Sequence, residues 1–378
     1  MVKKILFVFN KNFKMKRNIL IFTVLLFLSS LAFAQEFKEI GFNDKLLNYS
    51  GRIEKTDSIA KFYWPGSSVQ IKVKNTKTVK AILSENIDVN YYDVIIDENY
   101  TQKIKILKGK HTYVLASNLN KKRHTIQIFK ATNNDGHVTG FYGFIVDSNS
   151  KVINQRNKQK LKMEFFGNSI TCGHGVEVPV GSPDSGKPEF FNNYHTYGAI
   201  TSRYFNAQYH CSAKSGIGIA VSWFDAIMPD IYDRLNPNDP NSKWDFTKYQ
   251  PDIVVVNLFQ NDSWIVNMPK EEQFKIRFGS EKPSDQFMMD SYTKFISSIR
   301  KVYPHAKIIC ALGNMDITKK GSKWPGLVDK ATKSLNDPNV YTHFFKYKDT
   351  DGHPKIAEQQ AMADDLILFI KENKLDKF

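Results

Sequence analysis

The alternation of apolar and polar residues changes near residue 150, and this change limits how the chain can fold. Residues 37–147 contain short runs in which apolar and polar residues alternate, with turns between them. A period of two is typical of half-buried strands. Beyond residue 160, compact apolar runs alternate with helical patterns, which predicts a parallel sheet covered by helices. We therefore expect a β-rich part followed by an α/β part.

The first part reads as a β-sandwich. No convincing helical pattern interrupts it, and residues 69–73 alternate strictly. Further strands are predicted at 60–64, 92–96, 102–107, 111–115, 125–129 and 140–146. Many short strands with alternating faces predict a sandwich of the jelly-roll type over residues 35–147. Residues 148–160 are polar and lysine-rich and are interpreted as a linker.

The second part, residues 161–378, is predicted to be a three-layer α/β/α domain with a parallel sheet. Its strands are expected at 163–166, 253–258, 307–312 and 340–345, with the clearest helices at 286–303 and 354–373. In open α/β sheets, functional residues gather at the carboxyl ends of the strands. Candidate site residues are therefore sought just after each strand.

The N-terminus has the pattern of a secretory signal peptide over residues 1–34. An apolar run at 19–31 follows Lys14, Lys16 and Arg17 and ends in Ala32-Phe33-Ala34. This small-x-small pattern is typical of a cleavage site, and the run is short for a membrane span. We expect a secreted or periplasmic protein without an integral membrane segment after cleavage. The alternative is an uncleaved membrane anchor.

Charge and cysteine content exclude some classes of protein. Residues 1–34 hold six lysine and arginine residues and no acid, so the net charge of +15 falls to +9 on their removal. The remaining cations are scattered and no nucleic-acid motif accompanies them, so no nucleic-acid partner is expected. Cys172, Cys211 and Cys310 lack metal-ligand spacing. We expect them to be buried free thiols.

A candidate nucleophile and base lie far apart in the sequence. Ser169 follows a predicted strand, with Gly167 two residues earlier permitting a tight turn. A serine hydroxyl needs a neighbouring base, and His353 near the C-terminus is the candidate. Asp351, two residues before it, can hold the imidazole in the tautomer that accepts the serine proton. Asp349 is the alternative partner.

Acyl transfer also needs donors for the developing oxyanion. The amides of Gly216 and of Ser169 itself are candidates, together with the side chain of Asn261 after the strand at 253–258. Each feature alone has a structural explanation as a helix cap, turn or loop residue. Their occurrence at successive strand ends, in the order serine, glycine, asparagine, histidine, is far more specific.

That order resembles the four motif blocks of the SGNH (GDSL-like) hydrolases. The matching segments are Gly167-Asn168-Ser169-Ile170-Thr171, Ser215-Gly216, Asn261-Asp262 and Asp351-Gly352-His353-Pro354. Within that superfamily the chain most resembles carbohydrate esterase family 2, which joins a jelly roll to an SGNH domain. The jelly-roll resemblance is carried by Tyr63-Trp64-Pro65-Gly66-Ser67 and residues 140–147. It implies removal of acetyl groups from plant-type polysaccharides, without a metal or other cofactor.

Two positions depart from the family pattern. The third block commonly reads Gly-x-Asn-Asp, whereas Phe259 stands at the glycine position here. The last block has the spacing Asp-x-His, and some members of the family work with a serine–histidine dyad. Asp351 is therefore either the third member of a triad or dispensable.

Other residues near these blocks are assigned by context. Trp264, three residues after Asn261, is expected to stack on a sugar face; the alternative is that it covers the domain interface. His174 and Glu177 are treated as cleft lining at most. Trp64 and Trp223 are expected in the core.

Together these features predict a serine esterase that removes O-acetyl groups from a polysaccharide or oligosaccharide through an acyl-enzyme. Two alternatives remain open. One is a non-catalytic carbohydrate-binding protein on a decayed esterase scaffold, and the other is an esterase for peptidoglycan or lipid esters. The sequence leaves the oligomeric state and the acetylated sugar undefined.

Overall fold

The computed structural model describes residues 36–133, 136–155, 159 and 161–377. The expected signal peptide at 1–34 lies outside these residues. The antiparallel strands after residue 38 and the parallel sheet belong to one compact unit, Glu39–Phe378. Among the helices of the described part, none combines the length and apolar character needed to cross a membrane.

The first part is a sandwich of two antiparallel sheets. Its strands are β1 (Phe37–Gly41), β2 (Asn48–Ser50), β3 (Ile53–Lys55), β4 (Ala60–Phe62), β5 (Ser68–Lys74), β6 (Val79–Glu85), β7 (Tyr91–Ile96), β8 (Asn99–Lys105), β9 (Gly109–Ala116), β10 (Arg123–Lys130), β11 (Thr139–Asp147) and β12 (Lys151–Val152). One sheet runs β3-β4-β11-β6-β9 and the other runs β12-β5-β10-β7-β8. Val69, Ile71 and Val73 of β5 are fully buried, as the period-two alternation predicts. The jelly-roll sandwich is confirmed.

The sandwich extends into the segment expected to be a linker. Strand β12 pairs antiparallel with β5, with Lys151 opposite Lys74, and the amide of Ile153 donates to the carbonyl of Lys72 at 2.8 Å. The polar composition that suggested a linker belongs in part to an edge strand, since an edge strand faces water on one side.

The second part is built on a parallel sheet with strand order β14-β13-β15-β16-β17. The strands are β13 (Lys162–Gly167), β14 (Gln208–Ala213), β15 (Ile253–Asn257), β16 (Lys307–Leu312) and β17 (Val340–Phe344). Strand β14 was not predicted. It carries His210 and Ser212 as buried polar residues, so it lacks the apolar run by which the other strands were found.

Helices cover both faces of this sheet, as expected for three layers. They are α1 (Ser169–Cys172), α2 (Tyr197–Tyr204), α3 (Met228–Ile231), α4 (Gln260–Ile265), α5 (Glu272–Phe278), α6 (Asp285–Val302), α7 (Trp324–Ser334) and α8 (Ile356–Glu372). Short 3₁₀ turns occur at Pro188–Phe190, Asn193–His195, Phe246–Lys248 and Asp316–Thr318. Val254 and Val256 pack into the cluster that contains residues of α6 and α7, whereas Val255 packs with residues of α8. The predicted helices at 286–303 and 354–373 correspond to α6 and α8.

The carboxyl ends of three neighbouring strands, β14, β13 and β15, are level. Gly167 is opposite Ala213 of β14 and Asn257 of β15. The strand order reverses direction around β13, because the chain adds β14 on one side and all later strands on the other. Such a switch point opens a crevice at the carboxyl edge, and the segments that follow Gly167, Ala213 and Asn257 lie there.

Candidate active site

Ser169 is held at the strand end by a tight strand–helix turn. A Cβ at Gly167 would lie 2.0 Å from Thr171 Oγ1, so the turn requires glycine there. Asn168 caps α1, since its Oδ1 accepts the amide of Ile170 at 3.1 Å. Ser169, the first residue of this helix, is buried with 7% of its surface exposed.

His353 lies against Ser169 although 184 positions separate them in the chain. The distance from His353 Nε2 to Ser169 Oγ is 2.8 Å, within the range of a hydrogen bond. The structure therefore brings together the predicted nucleophile and the predicted base.

The carboxylate that partners His353 is Asp184, and the predicted partner Asp351 is wrong. Asp184 Oδ2 lies 2.5 Å from His353 Nδ1 and 3.1 Å from the His353 amide nitrogen. Asp351 is exposed, and its carbonyl accepts from Lys348 Nζ at 3.1 Å. The alternative, Asp349, is also exposed. The imidazole turns toward the loop that follows α1, so the carboxylate comes from that loop and not from its own.

Two glycines make room for the Asp184 carboxylate. A Cβ at Gly352 would lie 2.9 Å from Asp184 Cβ, and one at Gly175 would lie 2.7 Å from Asp184 Oδ1. Both glycines have positive φ, +71° and +62° respectively, which only glycine adopts readily. Sequence reasoning missed Asp184 because it stands in an exposed, turn-rich stretch without apolar periodicity.

The ionisation of the neighbouring groups favours a hydrogen-bonded relay. Burial alone would raise the pKa of Asp184, but its hydrogen bonds with His353 and the charge of Lys355 outweigh burial and hold this pKa well below its usual range. Burial, together with the nearby His353 and Lys355, lowers the pKa of His174 to about 4. At neutral pH His174 is uncharged and Asp184 is ionised. His353 can then donate Nδ1–H to Asp184 while Nε2 accepts from the serine hydroxyl.

Asn261 lies on α4, directly after β15, with a defined amide orientation. Its Oδ1 accepts from Trp223 Nε1 at 3.0 Å, and its Nδ2 donates to the carbonyl of Ile217 at 2.7 Å. The second N–H of this amide has no acceptor among the described residues. The neighbouring Gly216 has φ +80°, and its carbonyl accepts the amide of Trp223 at 3.0 Å. Asn261 and the loop at Gly216 are thus joined through Trp223.

The loop beyond Gly216 is folded around a buried carboxylate. Asp262 Oδ1 accepts the amides of Ala220 at 2.7 Å and Val221 at 3.1 Å, and both of its oxygens lie 3.1 Å from the amide of Ile219. Burial raises the pKa of Asp262 to about 6, against the opposing effect of these amides. Gly218 allows the close approach, since a Cβ there would lie 1.9 Å from the carbonyl of Val221.

Phe259 stands at the family's glycine position and has a backbone conformation that glycine adopts readily. Its φ is +78°, and its side chain is fully buried. The ring packs against Tyr292 and Trp324, with centroids 4.9 and 5.1 Å away. Because the side chain points into the core, the substitution gives no reason to regard the site as decayed.

One of the tryptophan assignments differs from the expectation. Trp64 is buried as predicted, with 1% exposed, but Trp223 is 40% exposed, so its assignment to the core is wrong. Trp223 was misassigned because its indole N–H bonds to Asn261 at the cleft, a long-range contact. Trp264 is partly buried and its Nε1 donates to Asp316 Oδ2 at 2.7 Å.

Residues Cys172, Cys211 and Cys310 are buried and no disulfide joins them, as predicted. Within the described residues, one group of side chains, His174, Asp184 and His353, could supply three metal ligands. The 2.5 Å contact between His353 Nδ1 and Asp184 Oδ2 is a hydrogen-bond distance. Two ligand atoms on one ion at about 2 Å each lie further apart than this. The group is therefore arranged as a hydrogen-bonded relay.

A serine, an imidazole and a carboxylate in hydrogen-bonding series at the carboxyl edge of a parallel sheet form the arrangement of serine hydrolases, a class that uses several folds. Comparison with known proteins narrows the class. Residues 49–155 match the family model described as "Carbohydrate esterase 2 N-terminal". A solved structure of a family two carbohydrate esterase from Clostridium thermocellum in complex with cellohexaose is 28% identical with a TM-score of 0.77, covering 87% of this chain and 99% of that one.

Characterised relatives agree with this. The cellulase/esterase CelE of Acetivibrio thermocellus is 31% identical over 86% of this chain. The chain spans only 39% of the length of CelE. An acetylxylan esterase / glucomannan deacetylase of Cellvibrio japonicus is 24% identical over 86% of this chain and 88% of its own length. These matches support an SGNH-like hydrolase of carbohydrate esterase family 2, in agreement with the resemblance found in the motifs.

Proposed function

We propose that this protein is a serine esterase that removes O-acetyl groups from a polysaccharide or oligosaccharide. The observation that carries the proposal is the continuous series Ser169 Oγ, His353 Nε2, His353 Nδ1 and Asp184 Oδ2, with contacts of 2.8 and 2.5 Å. An imidazole placed this way can accept the serine proton while the carboxylate stabilises the imidazolium that forms.

The reaction proceeds in two halves. Ser169 Oγ attacks the acetyl carbonyl as its proton passes to His353 Nε2, and His353 then protonates the departing sugar hydroxyl. Water, deprotonated by the same nitrogen, attacks the acetyl-serine and releases acetate. The amides of Ser169 and Gly216 and the second N–H of Asn261 would bind the oxyanion. Trp223 supports this role, because its N–H on Asn261 Oδ1 keeps Nδ2 as the donor.

The carbohydrate substrate is inferred from the relatives and from the aromatic residues near the site. The relatives are named as acting on acetylated xylan and glucomannan, and the C. thermocellum structure is a complex with cellohexaose. Trp264, partly exposed close to Asn261 in sequence, is proposed to stack on a sugar ring, a contact for which an indole is well suited. A screen of acetylated xylan, mannan, pectin and algal glycans for released acetate would identify the substrate.

Replacement of the nucleophile tests the proposal. Ser169→Ala should reduce acetate release from an aryl acetate and from acetylated glycan by at least ~10³-fold, with an unchanged melting temperature. Ser297→Ala, at an exposed serine on α6, is the matched control and should keep wild-type activity. An organophosphonate should label Ser169 covalently, which distinguishes an esterase from a protein that only binds carbohydrate. Turnover that persists in Ser169→Ala would exclude this nucleophile.

We further propose that the protein is exported and that residues 1–34 are removed. The support is the apolar run at 19–31 with its preceding cations and the Ala32-Phe33-Ala34 pattern. N-terminal sequencing of protein recovered from the periplasm or medium should begin at Gln35. A mature protein that retains Met1 or Met15 would contradict cleavage.

A further inference from the structure

The loop that carries Asp184 has few contacts of its own. It leaves α1 at His174 and returns at residue 192. Its tip, residues 179–187, is mostly exposed, with Val180 92% exposed. The amide of Ser182 bonds only locally, to the carbonyl of Pro179 at 3.0 Å. Apart from the bonds of Asp184 to His353 and Lys355, the exposed tip packs little, and such a segment has low local stability. The position of Asp184 therefore also depends on how the base of the loop is held.

The base of this loop is held by a lysine from the jelly roll. Lys103 on β8 donates from Nζ to Glu177 Oε2 at 2.6 Å, to the carbonyl of Glu189 at 2.8 Å and to that of Phe191 at 2.7 Å. An ammonium group has three N–H donors, and here all three bind the two ends of one loop. The Lys103 side chain is 14% exposed, so solvent screens these contacts only in part.

Asp93, a second jelly-roll residue, binds the same end of the loop through Asn192. Asn192 donates from Nδ2 to Glu177 Oε1 at 2.7 Å and to Asp93 Oδ1 at 3.2 Å. Asp93 belongs to β7 and is opposite Lys103 in the strand register. The two ends of the loop are therefore tied to neighbouring strands of one sheet.

The same loop also contacts the His353 imidazole through a stack of rings. The ring of Phe191 packs on His174 with centroids 4.4 Å apart, and His174 packs on His353 at 4.3 Å. Displacement of the two ends of this loop would thus move both the Asp184 carboxylate and the His174 and Phe191 rings that stack behind the His353 imidazole.

We propose that Lys103 is a positioning residue of the esterase and that the jelly roll completes the active site by holding the Asp184 loop. This inference rests on the proposed function, since it assumes that Asp184 orients His353. The physical reason is that small misplacements of a catalytic group are costly, about 10²-fold in rate for about 1 Å.

A double-mutant cycle tests the proposal. Lys103→Met should lower kcat for an aryl acetate about 10- to 100-fold with little change in KM. In an Asp184→Asn background the same substitution should have a much smaller effect, because the carboxylate through which it mainly acts is already disabled and only the ring stack on His353 can still be displaced. Lys105→Met, at an exposed position two residues along the same strand, is the matched control and should leave kcat unchanged.

Each outcome separates the inference from the function on which it rests. Wild-type kcat in Lys103→Met, or an equal loss with and without Asp184, would overturn the positioning role. If Lys103→Met fails to fold, Glu177→Gln removes the charged partner of Lys103 and should show the same coupling to Asp184. Activity that survives Ser169→Ala would instead overturn the proposed function itself.

Discussion

At the scale of single residues, the chemistry depends on which carboxylate orients His353. Both oxygens of Asp184 are engaged: Oδ2 by the ring and amide of His353, and Oδ1 by Lys355 Nζ at 3.3 Å. These contacts hold the carboxylate ionised and hold one tautomer of the imidazole. Asp351 is nearer in sequence but faces solvent, so it has no such means of acting on the ring.

Replacement of each aspartate by asparagine should distinguish the roles of Asp184 and Asp351. Asp184→Asn should lower kcat about 10²- to 10⁴-fold, because an amide can donate to Nδ1 and so favour the wrong tautomer. Asp351→Asn is the matched control and should retain nearly full kcat. Steady-state kinetics on an aryl acetate would measure both. Equal losses in the two variants would contradict the assignment of Asp184.

At the scale of elements, the site forms where two loops approach within contact distance. The loop before α8 carries His353, and the loop after α1 carries Asp184. They meet at Gly352, where an added Cβ would lie 2.9 and 3.0 Å from Asp184 Cβ and Cγ. The two loops can approach each other this closely only because no side chain at Gly352 separates their backbones.

Gly352→Ala should therefore displace Asp184 and reduce kcat substantially, by about 10-fold or more. Gly321→Ala is the matched control: Gly321 also has positive φ, +90°, but an added Cβ there would meet nothing within 4 Å. Both variants should lose about 1 kcal/mol of unfolding free energy from backbone strain. Urea denaturation measures that loss, and kinetics should show the activity loss in Gly352→Ala alone. Comparable activity in the two variants would refute the steric explanation.

At the scale of the whole molecule, the jelly roll and the α/β part share a buried ion pair. Arg52, with 1% exposed, donates to Glu164 Oε1 of β13 at 2.8 Å and to the carbonyls of Tyr232 and Arg234 at 2.6 and 2.9 Å. Burial would raise the pKa of Glu164, but Arg52 and the hydrogen bonds from Tyr303 and Ser212 outweigh burial and lower it. The buried Glu164 therefore stays ionised in the folded protein because Arg52 of the jelly roll lies against it.

Arg52→Met should cost about 3–5 kcal/mol of unfolding free energy, because it leaves a buried carboxylate without its cation. Arg52→Met combined with Glu164→Gln should recover part of that loss. Lys333→Met removes an exposed ion pair with Asp329 on α7 and should cost less than about 0.5 kcal/mol. Chemical denaturation of the three variants gives the comparison. A loss below about 1 kcal/mol in Arg52→Met would show that the pair does not join the two parts.

The sequence by itself determined the sandwich, the parallel sheet, and the serine and histidine that meet at its edge. Apolar periodicity and short motifs are local, so they are readable without knowledge of the fold. Strand β14 was not predicted because its buried residues include His210 and Ser212, whose interaction partners are not local.

Only the tertiary structure decided that Asp184 contacts His353, that Trp223 contacts Asn261 and that Lys103 contacts both ends of the loop carrying Asp184. His353 and Asp184 are 169 positions apart, and nothing in the exposed stretch around Asp184 indicates a partner. A hydrogen bond between distant loops depends on how the sheet and the sandwich bring those loops together. By sequence, Asp351 is also a candidate partner of His353. In the structure the backbone turns so that Asp351 is exposed and Asp184 lies against the imidazole ring.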